Sequence, residues 1–390
     1  MNKSFIFSFL FIGILSLAEK SNAQIPIAGS LGKGIRMQAV DSSFAMKFSF
    51  RFQSLYSGQY TPESETWNES FLIRRSRLKF DGYVFNPKVI YKVELGLSNS
   101  DTQGPDEMGR ASNMILDAVV KWRFAPKWYL WAGQAKLPGN RERVISSQDL
   151  QFVDRSLVNS EFNIDRDIGV QLRTNHRMGS MVVRGALAIS MGEGRGVLID
   201  NPKNGREYTA RVELLPFGKF TSKGDYFGSD LAREASPKLS IGATYDYNHQ
   251  TPRSRGNLGS FLTDSTGSYI FSDLSTVFID AVFKYKGLSW SSEYANKRTD
   301  APVDGFGYGS GSVTSLGYLM KSNVEVAGRY TEIAPNHKDF TSITGIKEYT
   351  LGISRYVVGH ALKVQSDFSW VDNATSEDFF RVRVQFEVAL

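Results

Sequence analysis

Several stretches of this chain carry cations at alternate positions. Arg75, Arg77 and Lys79 form one such run, Lys47 and Arg51 a second, and Arg381 and Arg383 a third. In an extended chain, residues two apart share a face, so each run presents its charges on one side. Further cations are Lys121, Lys136, and Arg141, Arg143 and Arg155 in the polar segment 138–166. Arginine grips an oxyanion with a two-pronged fork and lysine acts as a point charge, so grouped cations of this kind suit phosphate-like anions. Carboxylates of matching parity are also present, among them Asp81, Glu94, Asp117, Glu213, Asp280 and Glu387. Cross-strand pairing with these is the competing fate of the same arginines.

Other chemistry finds little material. The sequence has no cysteine, and its four histidines (His176, His249, His337 and His360) fall at expected turns or strand ends. No HExxH-like spacing offers a metal site, and Gly192-Glu193-Gly194-Arg195-Gly196 lies in a loop rather than between a strand and a helix. The reading is therefore non-enzymatic, with no catalytic residues, metal or cofactor. A hydrolase would need a histidine with Ser or Asp partners converging at a surface. The net charge of +6 would suit nucleic acid, but the N-terminus argues for export.

There, Asn2-Lys3 precedes a mostly apolar stretch from Ser4 to Leu17, and Ser21-Asn22-Ala23 supplies small residues before Gln24. That order is a cleaved secretory leader over 1–23, too short for a comfortable membrane helix. No later run approaches ~20 apolar residues, so no transmembrane helix follows.

The elements that position the cations alternate instead. Phe44, Met46, Phe48, Phe50 and Phe52 face one way while Lys47, Ser49, Arg51 and Gln53 face the other, the pattern of a strand between lipid and water. Repeating the reading predicts sixteen strands near 43–57, 70–85, 88–99, 114–124, 127–137, 167–175, 180–190, 205–215, 237–249, 275–286, 287–299, 310–321, 323–333, 346–357, 360–372 and 378–390. In 180–190 and 310–321 small residues blur the alternation. Short turns near Pro87, Pro126, Gly179, Gly287, Ser322 and Gly359 interleave with longer polar loops such as 58–69, 100–113, 191–204 and 249–274. That asymmetry, with an even strand count, describes an outer-membrane barrel. The long connection 216–236 breaks the pattern.

The expected fold is thus an all-β, transmembrane antiparallel barrel of about sixteen strands over residues 24–390, with 138–166 folded inward as a constriction. Outward Trp122, Tyr129, Trp131, Tyr245, Tyr247, Trp290, Tyr349 and Trp370 read as girdle residues at the lipid interface. Closure sets strand sixteen beside strand one, which joins Arg381 and Arg383 to Lys47, Arg51, Arg75, Arg77 and Lys79 in one basic wall.

At this point the chain resembles the phosphate-selective porin O and P family. The resemblance lies in SFLIRRSRLKFDGYVFNPKVIYKVELGLSN (70–99), LDAVVKWRFAPKWYLWAGQAKLPGNRERV (116–144), DRDIGVQL (165–172), YTARVELLPFGKF (208–220) and GDYFGSDLAREASPKLSIGATYDY (224–247), the last containing part of the long connection. It implies a homotrimeric porin of the bacterial outer membrane whose inward loop and arginines guide phosphate or polyphosphate. Gly133-Gln134-Ala135-Lys136 with Pro138 resembles the strand leading into that loop. The expected function is passive diffusion of small anions; a general porin with neutralised arginines is the alternative.

Overall fold

The structure, a computed structural model, describes residues 27–98, 101, 113–197 and 201–390. The leader expected over 1–23 and most of the loop 100–113 lie outside them. A hairpin, β1 (Ile27–Ser30) and β2 (Gly34–Gln38), precedes β3 (Phe44–Thr61), β4 (Thr66–Val84), β5 (Val89–Gly96), β6 (Ile115–Ala125), β7 (Trp128–Lys136), β8 (Arg166–Met178) and β9 (Met181–Ser190). There follow β10 (Arg206–Leu215), β11 (Lys238–Thr251), β12 (Ser272–Tyr285), β13 (Leu288–Arg298), β14 (Gly309–Leu319), β15 (Val324–Pro335), β16 (Ile346–Val358), β17 (Leu362–Asn373) and β18 (Phe379–Ala389).

Strands β3 to β18 are the sixteen that the alternation predicts. Each pairs antiparallel with its neighbours, and β18 closes on β3 from Phe380 opposite Tyr60 to Ala389 opposite Arg51. Closure leaves no open edge, so backbone polar groups are satisfied within the wall even where lipid surrounds it. The outer face is apolar: Val120, Trp122, Ile168, Leu187, Ile279, Leu351 and Phe386 are all exposed. Tyr330, Tyr349 and Trp370 form a row on it, the first pair tilted and the second stacked, with ring centroids 5.1 and 5.3 Å apart.

The short turns owe their tightness to left-handed residues. Phe85, Lys127, Gly179, Gly287, Asn323 and Gly359 all have positive φ. Between Tyr285 and Leu288, Lys286 and Gly287 are both left-handed, which matches a two-residue turn to the twist of its strands.

Three features depart from expectation. Residues 58–69, read as a loop, mostly continue the first hairpin, whose pairing runs on to Thr61 opposite Thr66. The β1–β2 hairpin was not foreseen; β2 pairs with β3 from Ile35 opposite Phe48 to Gln38 opposite Ala45. It thereby covers the stretch of β3 that β18 does not reach. The connection 216–237 is as long as expected, and it turns into the barrel. Phe220 packs with Val182, Leu215 and Val282, while the Lys284 ammonium donates to the carbonyls of Gly224, Phe227 and Ser229 at 2.7, 2.9 and 2.5 Å.

Residues 137–165 also fold inside the barrel, as two short helices, α1 (Arg141–Val144) and α2 (Leu157–Phe162), joined by a buried strap. Val158 and Phe162 of α2 are fully buried against Phe278, Ala295, Val313 and Ile333 of the wall. The wall makes room with glycines. A Cβ at Gly311 would fall 2.8 Å from the Phe162 ring, one at Gly352 2.9 Å from Phe152, and one at Gly317 would clash with the Gln151 amide.

Candidate functional site

The inserted segment leans to one side of the lumen, and its hydrogen bonds show which. Gln151 donates to Ser289 and Glu325, each at 2.8 Å. The Val153 N–H reaches Asp367 at 3.2 Å, and Lys363 donates to the Gln148 carbonyl at 2.7 Å. From beneath, the Gly228 N–H of the other inserted connection donates to the Asp149 carbonyl at 2.7 Å. Both insertions therefore fill the half of the barrel built by β9 to β18.

The other half stays open as a cavity of about 520 Å³ between the strap and β3 to β8. Fourteen lysines and arginines line it against three carboxylates, Glu94, Asp101 and Asp117. Such an excess of one sign inside low-dielectric walls focuses a field that draws anions. Of the twelve cations singled out from sequence, Lys47, Arg51, Arg75, Arg77, Lys79, Lys121, Lys136, Arg143 and Arg155 line this cavity.

Arg141, Arg381 and Arg383 do not line it. Arg141 is 3% exposed, and its guanidinium reaches Asp280 at 2.9 Å and Glu213 at 3.1 Å. Arg383 grips Asp367 through two bonds of 2.7 and 2.8 Å, and Arg381 reaches Glu348 at 2.5 Å. The basic wall expected across the barrel seam is thus divided: the strap passes between its members, and on the β16–β18 side carboxylates take up the arginines.

The same cavity holds Arg166, at the end of the segment 138–166, and Arg74, Lys92, Arg173 and Arg195, which were not singled out. Lys92 and Arg173 have inward parity and were legible by that rule. Arg74 has the wrong parity; a bulge between Gln53 and Ser54 leaves it without a partner on β3, and it turns in beside Arg75 to hold Asp154. Arg195 comes from the loop after β9, which bends inward where the Gly196 N–H donates to Gln134 at 3.0 Å. Trp131 is a correction. Read as an outward girdle residue, it lines the cavity opposite Lys121, and Tyr129, two residues away, shares that face. The register shifts between Trp122 and Ala125, so the parity of β6 does not carry across the turn.

The lining cations fall into two groups. In the first, a carboxylate lies within ion-pair distance: Arg51 with Glu387 at 3.2 Å, Arg75 with Asp154 at 2.8 Å, Lys79 with Asp81 at 3.1 Å, Arg77 with Asp101, Lys92 with Asp117, Arg143 with Asp165, and Arg166 with Asp117 at 2.7 Å. Burial alone would raise the Asp154 carboxyl, but Arg75 and Arg74 hold it well below the usual carboxylate range.

In the second group, no described carboxylate lies within 4 Å, and uncharged acceptors brace several of the cations. Lys136 donates to the carbonyls of Arg143, Val144 and Ile145 at 2.7, 3.3 and 3.3 Å. Arg155 donates to those of Glu142 and Ile145 at 2.8 and 2.6 Å. Arg173 donates twice to the Gln171 amide oxygen, and Lys121 sits over the Trp131 ring. Neutral partners fix a cation without cancelling its charge. Burial, and then the charges of Arg143 and Arg75, push the Arg155 guanidinium well below its ordinary value. An anion beside it relieves that cost. Among the described residues no group of His, Cys, Asp and Glu is arranged to hold a metal.

Comparison with known proteins bears on the fold and the family. No curated protein matches the sequence. An anion-selective porin from Comamonas acidovorans superposes with a TM-score of 0.56 at 11% identity, covering 89% of this chain and 100% of that one. The outer-membrane channel DcaP of Acinetobacter baumannii gives 0.56 at 10% identity, covering 90% and 99%. The trimer form of OmpT, an outer membrane protein of Vibrio cholerae, gives 0.52 at 12% identity, covering 88% and 99%. At these identities the likeness is one of fold. The sequence profile of phosphate-selective porin O and P matches residues 46–389, which is nearly the whole described barrel, and the chain belongs to that family of outer-membrane porins.

Proposed function

We propose that the protein conducts small oxyanions, phosphate or polyphosphate among them, by passive diffusion through the cavity beside the strap, which is its constriction. One observation carries the reading: six of the lining cations, Lys47, Lys121, Lys136, Arg155, Arg173 and Arg195, have no described carboxylate within ion-pair distance. A general porin would show its arginines neutralised by wall carboxylates, as on β16 to β18. Residues 1–23 act as the cleaved leader, and the working form is a homotrimer in lipid, in keeping with the family and with the trimeric structure of similar fold.

The test is a reversal potential in a KCl gradient across a planar bilayer, followed by addition of inorganic phosphate. Current carried mainly by chloride and blocked by phosphate is expected. Screening length falls from ~10 Å at 0.1 M salt to ~3 Å at 1 M. The anion-to-cation permeability ratio is therefore expected to drop several-fold across that range. A ratio near one at 0.1 M, without block, leaves a general porin.

A further inference from the structure

Trp131 is an aromatic residue set into the cavity wall among cations. Its strand β7 lies between β6 and β8, which contribute Lys121 and Arg173. The Lys121 ammonium is 3.8 Å from the centroid of the Trp131 ring, and the Arg173 guanidinium carbon 4.2 Å. The Gln171 amide oxygen takes two further Arg173 donors at 2.9 and 2.6 Å. Neither cation has a described carboxylate within 4 Å, and all three side chains line the cavity. They lie toward the short-turn end of their strands, away from the mouth marked by Arg195.

Two like charges on the strands either side of β7 repel, and long flexible stems would let them part. A carboxylate between them would stop that but cancel half the charge. An indole does the first without the second, because its electron-rich face attracts a cation while adding no net charge.

We propose that Trp131 is a positioning residue that holds Lys121 and Arg173 in place without neutralising them, so that the pair forms a second holding station for oxyanions beyond the strap. This rests on the proposed anion pathway and deepens it.

The experiment compares inorganic phosphate block of chloride current, in planar bilayers, for wild type, Trp131→Leu, Trp131→Phe, the double variant Lys121→Gln/Arg173→Gln and Trp122→Leu. Trp122 faces outward on the neighbouring strand and serves as the control. Loss of the ring face is expected to raise the half-blocking phosphate concentration about tenfold in W131L. W131F, which keeps an aromatic face, is expected to stay within about threefold of wild type. The double variant is expected to match or exceed the W131L loss, and W122L to block like wild type. W131L blocked like wild type overturns this role of Trp131 while leaving the pathway standing, as does a W131F loss equal to that of W131L. A wild-type channel without anion preference removes both.

Discussion

Arg141→Gln raises the single-channel conductance and leaves the preference for anions in place. This arginine begins α1, at the root of the inserted segment, and is buried on the far side of it from the cavity. Its guanidinium meets Asp280, Glu213 and the Ser240 hydroxyl, and lies over the Tyr226 ring at 5.2 Å. It thus ties the strap to β10, β11 and β12 and to the connection that enters from the opposite end. Breaking a buried ion network by removing one partner costs ~3–5 kcal/mol. The lower end of that range applies, because Arg211 keeps Asp280 at 2.7 Å and Arg184 keeps Glu213 at 3.1 Å. A loss of that size at the root frees α1 from the wall and widens the passage. The charge removed is not among those lining the cavity, so the reversal potential holds. Conductance and reversal potential from the same membranes check this. Lower selectivity at unchanged conductance would instead put Arg141 in the ion path.

The contrast between Arg141 and Arg155 marks the limit of what the sequence discloses. Both are arginines of one polar segment, and nothing local separates them. Only the direction in which the strap leans gives one to the wall and the other to the cavity. By contrast, the barrel itself was legible, because outward positions are apolar over long runs, from Phe44 to Phe52 on β3 and from Phe380 to Val388 on β18. Alternation failed where the inner face serves another purpose. On β14 that face reads Gly309, Gly311, Val313, Ser315, Gly317 and Leu319, small at the places where Phe162 and Gln151 press against it. Small residues inside and Ser310, Ser312 and Thr314 outside give little contrast, which is why that strand was faint. Arg74 and Trp131 were hidden by a bulge and a register shift, each of which breaks the period-two rule that the reading depends on.

Charge reversal at Arg155 is expected to have the largest effect on selectivity. Arg155→Glu replaces a cation with an anion beside Arg143 and Arg75, changing the local charge by two units. A unit charge ~7 Å from a passing ion contributes ~0.6 kcal/mol in a water-like medium and ~2.4 kcal/mol at the dielectric typical of protein surfaces. Two units therefore lower the anion-to-cation permeability ratio by at least about tenfold. Glutamate also gives up the bonds to the Glu142 and Ile145 carbonyls, so a loosened strap competes as the cause. Two further variants separate the causes. Arg155→Lys keeps the charge and part of the bracing and is expected to keep the ratio. Arg155→Gln keeps part of the bracing without the charge and is expected to fall about midway on a logarithmic scale. If lysine and glutamine behave alike, geometry governs passage at this point. If they separate, the unpaired charge does, and the neutral carbonyls around Arg155 are there to hold a cation that stays available to the permeating ion.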